Sequence, residues 1–180
     1  ATANVVLYCG ATPVFIDVDP QTYNLDVAQI TAKVTDRTRA VIAVHLFGRC
    51  VDMDALRAGL PADVAIVEDA ACAAGASWKG KPSGSLGDVA AFSFHPRKSV
   101  TTGEGGMVTT ADAELAERMN QLRNHGATLS EEQRHHGPRP YLLPEFNLLG
   151  FNYRMTDMQA ALGVSQMMRL PEYVKRRHDI

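Results

Sequence analysis

The sequence predicts an α/β protein whose mostly parallel sheet is sandwiched by helices, with one antiparallel strand near residues 106–110. Three observations carry this prediction. Short apolar runs such as 40–44 and 64–67 lack polar alternation and therefore need burial on both faces, as in a parallel sheet. These runs alternate with stretches of helical spacing. The glycine-rich link at 103–106 leaves no room for a crossover helix, so the strand after it is expected to run antiparallel to its predecessor.

Each element has its own local signal. β-branched and apolar runs predict strands at 13–18, 40–44, 64–67, 89–94 and 106–110. Apolar spacing predicts helices at 25–34, 52–60 and 112–123, and a last helix from near Thr156 toward Pro171. Asn24 or Asp26 can cap the first helix, and Asp112 is expected to cap the third. Residues 127–147 contain several prolines and little periodicity, which predicts a long loop.

Composition excludes several classes of function. The chain has 180 residues, 46% of them hydrophobic and 21% charged, with a formal net charge of −2. This balance gives no broad attraction to nucleic acid or to anionic lipid, so neither a nucleic-acid nor a membrane partner is expected. The cysteines, Cys9, Cys50 and Cys72, are too widely spaced for a zinc site and odd in number, so no metal and no disulfide framework are expected. A reducing, cytoplasmic location is the expectation.

Two reactive side chains follow neighbouring predicted strands. Asp69 follows the strand at 64–67, and Lys98 follows the strand at 89–94. Ligands of open α/β sheets bind beyond the carboxyl ends of the strands. A lysine screened from water there is a nucleophile, and an aspartate against a heteroaromatic nitrogen keeps that nitrogen protonated. The pair suits pyridoxal 5′-phosphate (PLP), but a surface lysine and a turn carboxylate are the plain alternatives.

The residues around this pair resemble the sugar aminotransferases of the DegT–DnrJ–StrS group. The resemblance rests on EDAA at 68–71, GDVAAFSFHPRK at 87–98 and GEGGM at 103–107. It continues through GATPVFIDV at 10–18, HLFG at 45–48, RNHG at 123–126 and GFNYRMTD at 150–157. Several motifs in one order are more specific than any of them alone. The resemblance implies a fold-type I PLP enzyme with the large domain of aspartate aminotransferase.

Roles for individual residues follow from the resemblance. Lys98 resembles the lysine that holds PLP covalently and moves a proton, and Asp69 resembles the partner of the pyridine nitrogen. Ser93 matches a hydroxyl that binds the cofactor phosphate. Asn152 and Arg154 match a segment that reaches this phosphate from a neighbouring subunit, which implies a homodimer with a shared active site. A strand hydroxyl is the alternative for Ser93, and capping or surface roles are the alternatives for Asn152 and Arg154.

The resemblance implies a reaction in which an amino group is transferred from L-glutamate to a keto group of a nucleotide-linked sugar. A PLP-dependent sugar dehydratase of the same fold and a non-catalytic regulatory relative are the alternatives. The dehydratases of this group replace the Schiff-base lysine with histidine, and Lys98 argues against them. Intact Lys98, Asp69 and Ser93 argue against a mere regulator.

The sequence departs from the family pattern in two ways. Cys72 stands where relatives often carry glutamine or histidine, which bears on substrate choice. The amino-terminal phosphate-binding turn and the small carboxyl-terminal domain of the family are not found in residues 1–180. These residues are therefore expected to be the central part of the large domain, and alone to be poorly stable and inactive. His45 and His95 are expected to be packed, hydrogen-bonded histidines.

Overall fold

The computed structural model describes residues 1–180, except for the side chains of 131 and 132. The chain divides into two units, one of residues 1–110 and 158–180 and the other of residues 111–157. The strands are β1 (Ala40–Val44), β2 (Ala65–Asp69), β3 (Ser77–Trp78), β4 (Lys81–Pro82), β5 (Val89–Ser93) and β6 (Gly106–Thr109). The α-helices are α1 (Thr2–Tyr8), α2 (Ile30–Lys33), α3 (Met53–Ala58), α4 (Ala113–Arg123), α5 (Glu131–His136) and α6 (Asp157–His178). Short 3-10 turns occupy Val27–Gln29 and Leu46–Gly48.

The main sheet has the order β1-β2-β5-β6. β1, β2 and β5 are parallel, and β6 is antiparallel to β5, as the short glycine link predicts. The carboxyl ends of the three parallel strands therefore meet at one edge of the sheet. β3 and β4 form a separate antiparallel pair.

The hydrophobic core lies on one face of this sheet. It joins Ala43 of β1 and Ile66 of β2 to side chains from the neighbouring helices and loops, namely Ile30, Val51, Met53, Leu56, Leu60 and Val64. Asp52 caps α3 by accepting a hydrogen bond from the amide of Ala55 at 3.0 Å. The cap fixes where the helix begins, and Met53 and Leu56 then point into the core.

The strand predicted at 13–18 is wrong. Only Val18 forms an isolated bridge, with Leu25, and Val14 and Phe15 are exposed. No strand of the described chain lies beside residues 13–17, and a β-branched run without a partner has no ladder to join. Ile16 alone turns inward and packs against the core.

The helix predicted at 25–34 is shorter and broken in two. Asp26 caps the 3-10 turn by accepting from the amide of Ala28 at 3.0 Å, and α2 follows as a single helical turn. Asn24, the other predicted cap, is buried and instead bridges the loop after β1. Tertiary hydrogen bonds have overridden the local capping preference of Asn24.

Two predictions in the last third of the chain also need correction. The predicted loop at 127–147 contains α5, which begins with a capping box between Ser130 and Gln133. The last helix, α6, continues beyond Pro171 to His178, although proline removes one helical hydrogen bond. The helix is closely packed around the proline. A Cβ built on Gly75 would lie 2.6 Å from a methyl of Val174 and 3.4 Å from Leu170, so the chain approaches α6 closely on both sides of the proline.

Candidate active site

The register of the sheet puts Asp69 and Ser93 on the same face. Asp69 closes β2 and pairs with Ala91 of β5, two residues before Ser93. Residues that pair across parallel strands project to one face, and so do residues two apart on a strand. Asp69, Ala91 and Ser93 therefore share a face, which is opposite to the face of Ala43, Ile66 and the core.

The carboxylate of Asp69 is oriented by two donors. The hydroxyl of Thr2, at the start of α1, donates to Oδ2 at 2.6 Å, and the amide of Ala71 donates to Oδ1 at 3.2 Å. The Ala71 bond starts a turn at the end of β2 that leads to Cys72. Thr2 was not predicted as a site residue, because nothing local to residue 2 indicates a contact with residue 69.

Lys98 lies at the same edge of the sheet as this turn. Its amine is 3.2 Å from the Sγ of Cys72, three residues beyond Asp69. The loop that carries Lys98 is held at its two ends, because the amide of Phe94 donates to the carbonyl of Gly105 and the amide of Thr102 donates to the carbonyl of Phe94. The turn after β2 and the loop after β5 therefore bring the amine and the Asp69 turn together.

Ser93 and His95 shape the base of this loop. The Oγ of Ser93 accepts from the amide of His95 at 3.4 Å, which leaves its hydroxyl proton available for a ligand. The Nδ1 of His95 accepts from the amide of Arg97 at 3.2 Å. His95 is hydrogen-bonded, as predicted, but only half-buried.

The opposite face of β2 carries a closed network around Glu68. Its carboxylate accepts from the amides of Gly84, Leu86 and Gly87 at 2.7–2.8 Å and from Nε2 of His45 at 2.9 Å. Nδ1 of His45 accepts from the amide of Val51 at 3.2 Å, so the ring proton that Glu68 receives is on Nε2. Burial acts to raise the pKa of Glu68, but the bonds from His45 and the three amides outweigh it and the pKa is lowered. His45 is thus the packed histidine that was predicted.

Asn152 and Arg154 belong to the second unit, whereas Asp69, Ser93 and Lys98 belong to the first. Within the second unit they are tied together. The Nε of Arg154 donates to the amide oxygen of Asn152 at 2.8 Å, and its Nη1 donates to that of Asn124 at 3.3 Å. Both residues are exposed, and the rings of Phe151 and Tyr153 stack beside them at 4.9 Å.

The residues of the first unit fit a PLP molecule. The amine of Lys98 has only a thiol within hydrogen-bonding distance among the described residues, and the face between Asp69 and Ser93 carries the small, exposed Ala91. A flat ring can lie over this methyl group with a carboxylate at one end and a hydroxyl at the other. No grouping of histidine, cysteine, aspartate and glutamate suited to a metal ion occurs among the side chains that the structure describes.

Comparison with known proteins places the chain in a family. The sequence pattern of the DegT/DnrJ/EryC1/StrS aminotransferase family matches residues 1–180. The chain belongs to this family. The GDP-perosamine synthase of Caulobacter vibrioides is 48% identical over 100% of this chain and 46% of its own length. The chain thus spans about half the length of the relatives that it matches.

Solved structures of family members share the fold. An aminotransferase from Psychrobacter cryohalolentis is 41% identical and superposes with a TM-score of 0.85 over 94% of this chain and 43% of its own. A Streptococcus pneumoniae protein described as a sugar aminotransferase, in its PLP form, is 30% identical with a TM-score of 0.86 over 99% of this chain and 48% of its own.

The predicted family and fold class are therefore confirmed, and so is PLP as the cofactor of the family.

Proposed function

We propose that residues 1–180 form the central part of the PLP-binding large domain of an aminotransferase. The reaction moves an amino group, from L-glutamate, to a keto group of a nucleotide-linked sugar. The observation that carries this proposal is the approach of the Lys98 amine to the turn that begins at Asp69. Family membership and the relative named GDP-perosamine synthase support the sugar substrate.

Each residue of the pair has a defined task. Lys98 would hold the cofactor covalently through Nζ, and the same amine would move a proton at the substrate carbon. Asp69 keeps a proton on the pyridine nitrogen, and Thr2 and Ala71 hold its carboxylate in one orientation. Ser93 donates its hydroxyl to the phosphate. When bound, PLP supplies a ring that withdraws electrons from the substrate carbon.

We further propose a homodimer in which Asn152 and Arg154 reach the phosphate of the neighbouring subunit. Guanidinium and amide donors match phosphate oxygens. The segment that precedes them exposes large apolar side chains, which favours burial against another protein surface: Tyr141, Leu143, Phe146 and Leu149.

A cytoplasmic location is also proposed, since Cys9, Cys50 and Cys72 are all free thiols. No helix within the described residues has the length and apolar character to cross a bilayer.

The sugar dehydratase remains the less favoured reaction, because its members lack the lysine that this chain carries. The regulatory alternative is less favoured for a similar reason. A protein that only binds a ligand does not need the reactive amine of Lys98 close to a carboxylate, that of Asp69, whose proposed partner is the pyridine nitrogen of PLP.

The proposal is tested by a half-reaction with a polypeptide of full family length that carries these residues. PLP-loaded protein mixed with L-glutamate is expected to lose the absorbance of the lysine-bound cofactor and gain that of pyridoxamine phosphate. A nucleotide-linked keto sugar should then reverse the change. Lys98→Ala should show neither spectrum, whereas Lys79→Ala, an exposed lysine paired with Asp54, should behave as wild type. A wild-type protein that binds PLP but never exchanges an amino group would overturn the proposal.

A further inference from the structure

A cavity of about 260 Å³ lies beside the Lys98 amine and is lined by Phe47, Cys72, Arg97, Lys98, Ser99 and Arg177. These residues come from the loop after β1, the turn after β2, the loop after β5 and the end of α6. The roles proposed above use only Lys98 from this set. The others lie where a substrate would approach the reactive amine.

The cavity is strongly cationic. Arg97, Lys98 and Arg177 all line it, and none of its lining residues is acidic. Within the described chain no carboxylate forms an ion pair with any of these three side chains. The Nη1 of Arg177 instead donates to the hydroxyl of Ser99 at 2.7 Å, a neutral acceptor that orients the guanidinium without neutralising it. Positive charges gathered without a counter-charge attract an anion.

Phe47 adds an apolar wall that is held under strain. Its backbone has φ 55° and ψ 20°, a left-handed conformation that is unfavourable for a bulky residue, and its side chain is 81% exposed. A residue persists in such a conformation only where its surroundings impose it, and strained residues concentrate at ligand sites.

Two buried side chains impose the conformation of the Phe47 loop. Asn24 accepts from the amide of Leu46 at 2.9 Å and donates to the carbonyl of Arg49 at 2.8 Å. His45 accepts from the amide of Val51 at 3.2 Å. The loop is therefore clamped on both sides of Phe47, and the exposed ring is presented at the cavity rather than packed in the core.

We propose that Arg97 and Arg177 form a substrate subsite that binds an anionic group next to the Lys98 amine, with Phe47 covering the carbon skeleton of the bound molecule. The proposal rests on the aminotransferase function above and assigns its substrate recognition. Two substrates carry the required charge, the amino donor through a carboxylate and the sugar acceptor through a diphosphate. Guanidinium groups bind either anion through paired hydrogen bonds.

The test measures binding by calorimetry to the PLP-loaded protein of full family length. GDP and 2-oxoglutarate serve as unreactive probes of the acceptor and the donor. Arg97→Ala and Arg177→Ala are each expected to lower the affinity for one of the two probes about 10-fold or more. Arg177→Lys is expected to have an intermediate affinity. Arg176→Ala removes the same charge from the same helix outside the cavity and should change affinity less than about 2-fold. The probe whose affinity falls identifies which substrate binds at Arg97 and Arg177.

Unchanged affinity for both probes would overturn the subsite, and so would a loss confined to PLP affinity. This outcome is separable from failure of the proposed function, because probe binding needs no turnover. A protein that fails both half-reactions while Arg177→Ala still loses probe affinity would refute the reaction and keep the anion subsite. If both arginine variants turn over normally and bind both probes with unchanged affinity, the anion subsite is refuted and the aminotransferase reaction is kept.

Discussion

Two adjacent carboxylates, Glu68 and Asp69, face opposite sides of the same strand and have opposite surroundings. Glu68 is fully buried and receives four hydrogen bonds from within the protein. Asp69 is partly exposed and, among the described residues, its carboxylate receives two hydrogen bonds, from Thr2 and Ala71. A carboxylate accepts about four hydrogen bonds. Glu68 is therefore saturated and structural, whereas Asp69 keeps capacity for a ligand. The difference separates a residue that holds the fold from one that the proposed function assigns to the cofactor.

Asp69→Asn is expected to have the largest effect on catalysis and only a small effect on stability. We expect kcat/KM for amino transfer to fall about 10³-fold, because a neutral amide no longer keeps the pyridine nitrogen protonated. The free energy of unfolding should change by less than about 1 kcal/mol, since an amide oxygen can still accept from one donor. Steady-state kinetics and urea unfolding of the full-length protein measure both. Asp63→Asn, an exposed carboxylate before β2, is the matched control.

Glu68→Gln tests the other side of the comparison. The NH2 group of the glutamine would face the N–H of His45 or a backbone N–H, and each of these is itself a donor. His45 cannot adapt by moving its ring proton from Nε2 to Nδ1, because Nδ1 already accepts a hydrogen bond from the amide of Val51. We expect the free energy of unfolding to fall by about 3 kcal/mol. Urea unfolding at neutral pH is the measurement. A loss no larger than that of Asp69→Asn would contradict the distinction between the two carboxylates.

The stabilising contribution of Glu68 is expected to depend on pH. The pKa of Glu68 is lowered from its ordinary value of 4.5, with burial opposing and the hydrogen bonds from His45 and the amides prevailing. Its ionised form therefore stabilises the folded state above about pH 4.5, and this contribution is lost as pH falls through the folded pKa. The difference in unfolding free energy between wild type and Glu68→Gln should be constant from pH 7 to about 5 and narrow below that. A difference that widens in acid would show that Glu68 is protonated when folded.

Phe47 has a strained backbone in the loop after β1, and substitutions there are expected to change stability only slightly. Phe47→Gly should raise the free energy of unfolding by about 0.5 kcal/mol, because glycine adopts a positive φ without a steric penalty. Phe47→Ala keeps the β-carbon and should be less stable than the glycine variant by about 1 kcal/mol. Thermal or urea unfolding compares the two. Equal stability of the glycine and alanine variants would mean that the backbone at residue 47 is unstrained.

Local patterns predicted those parts of the fold that local forces decide. Asp52 and Asp112 cap their helices, and the glycine link before β6 gives an antiparallel pair. The failures involve partners distant in sequence. The run at 13–18 looked like a strand but pairs only through the single bridge from Val18 to Leu25, and α6 continues past Pro171 where it approaches Gly75 closely.

In the candidate site, too, the sequence indicates residues with a local signal and does not indicate those that depend on a distant contact. Asp69, Ser93 and Lys98 could be proposed because strand ends and motifs are visible in the sequence. Thr2 could not, since its only signal is a contact that the folded chain creates. Arg177, the residue of the proposed subsite, lies in the basic run 175–177, which from the sequence is typical of a solvated helix face.

Lys98 is proposed as the amine that holds the cofactor at the carboxyl ends of the parallel strands. The most direct measurement is borohydride reduction of the PLP-loaded full-length protein, followed by mass spectrometry of its peptides. A stable pyridoxyl label is expected on Lys98 and on no other lysine. A label on Lys79 or Lys81, or PLP bound without any reducible link to Lys98, would contradict it.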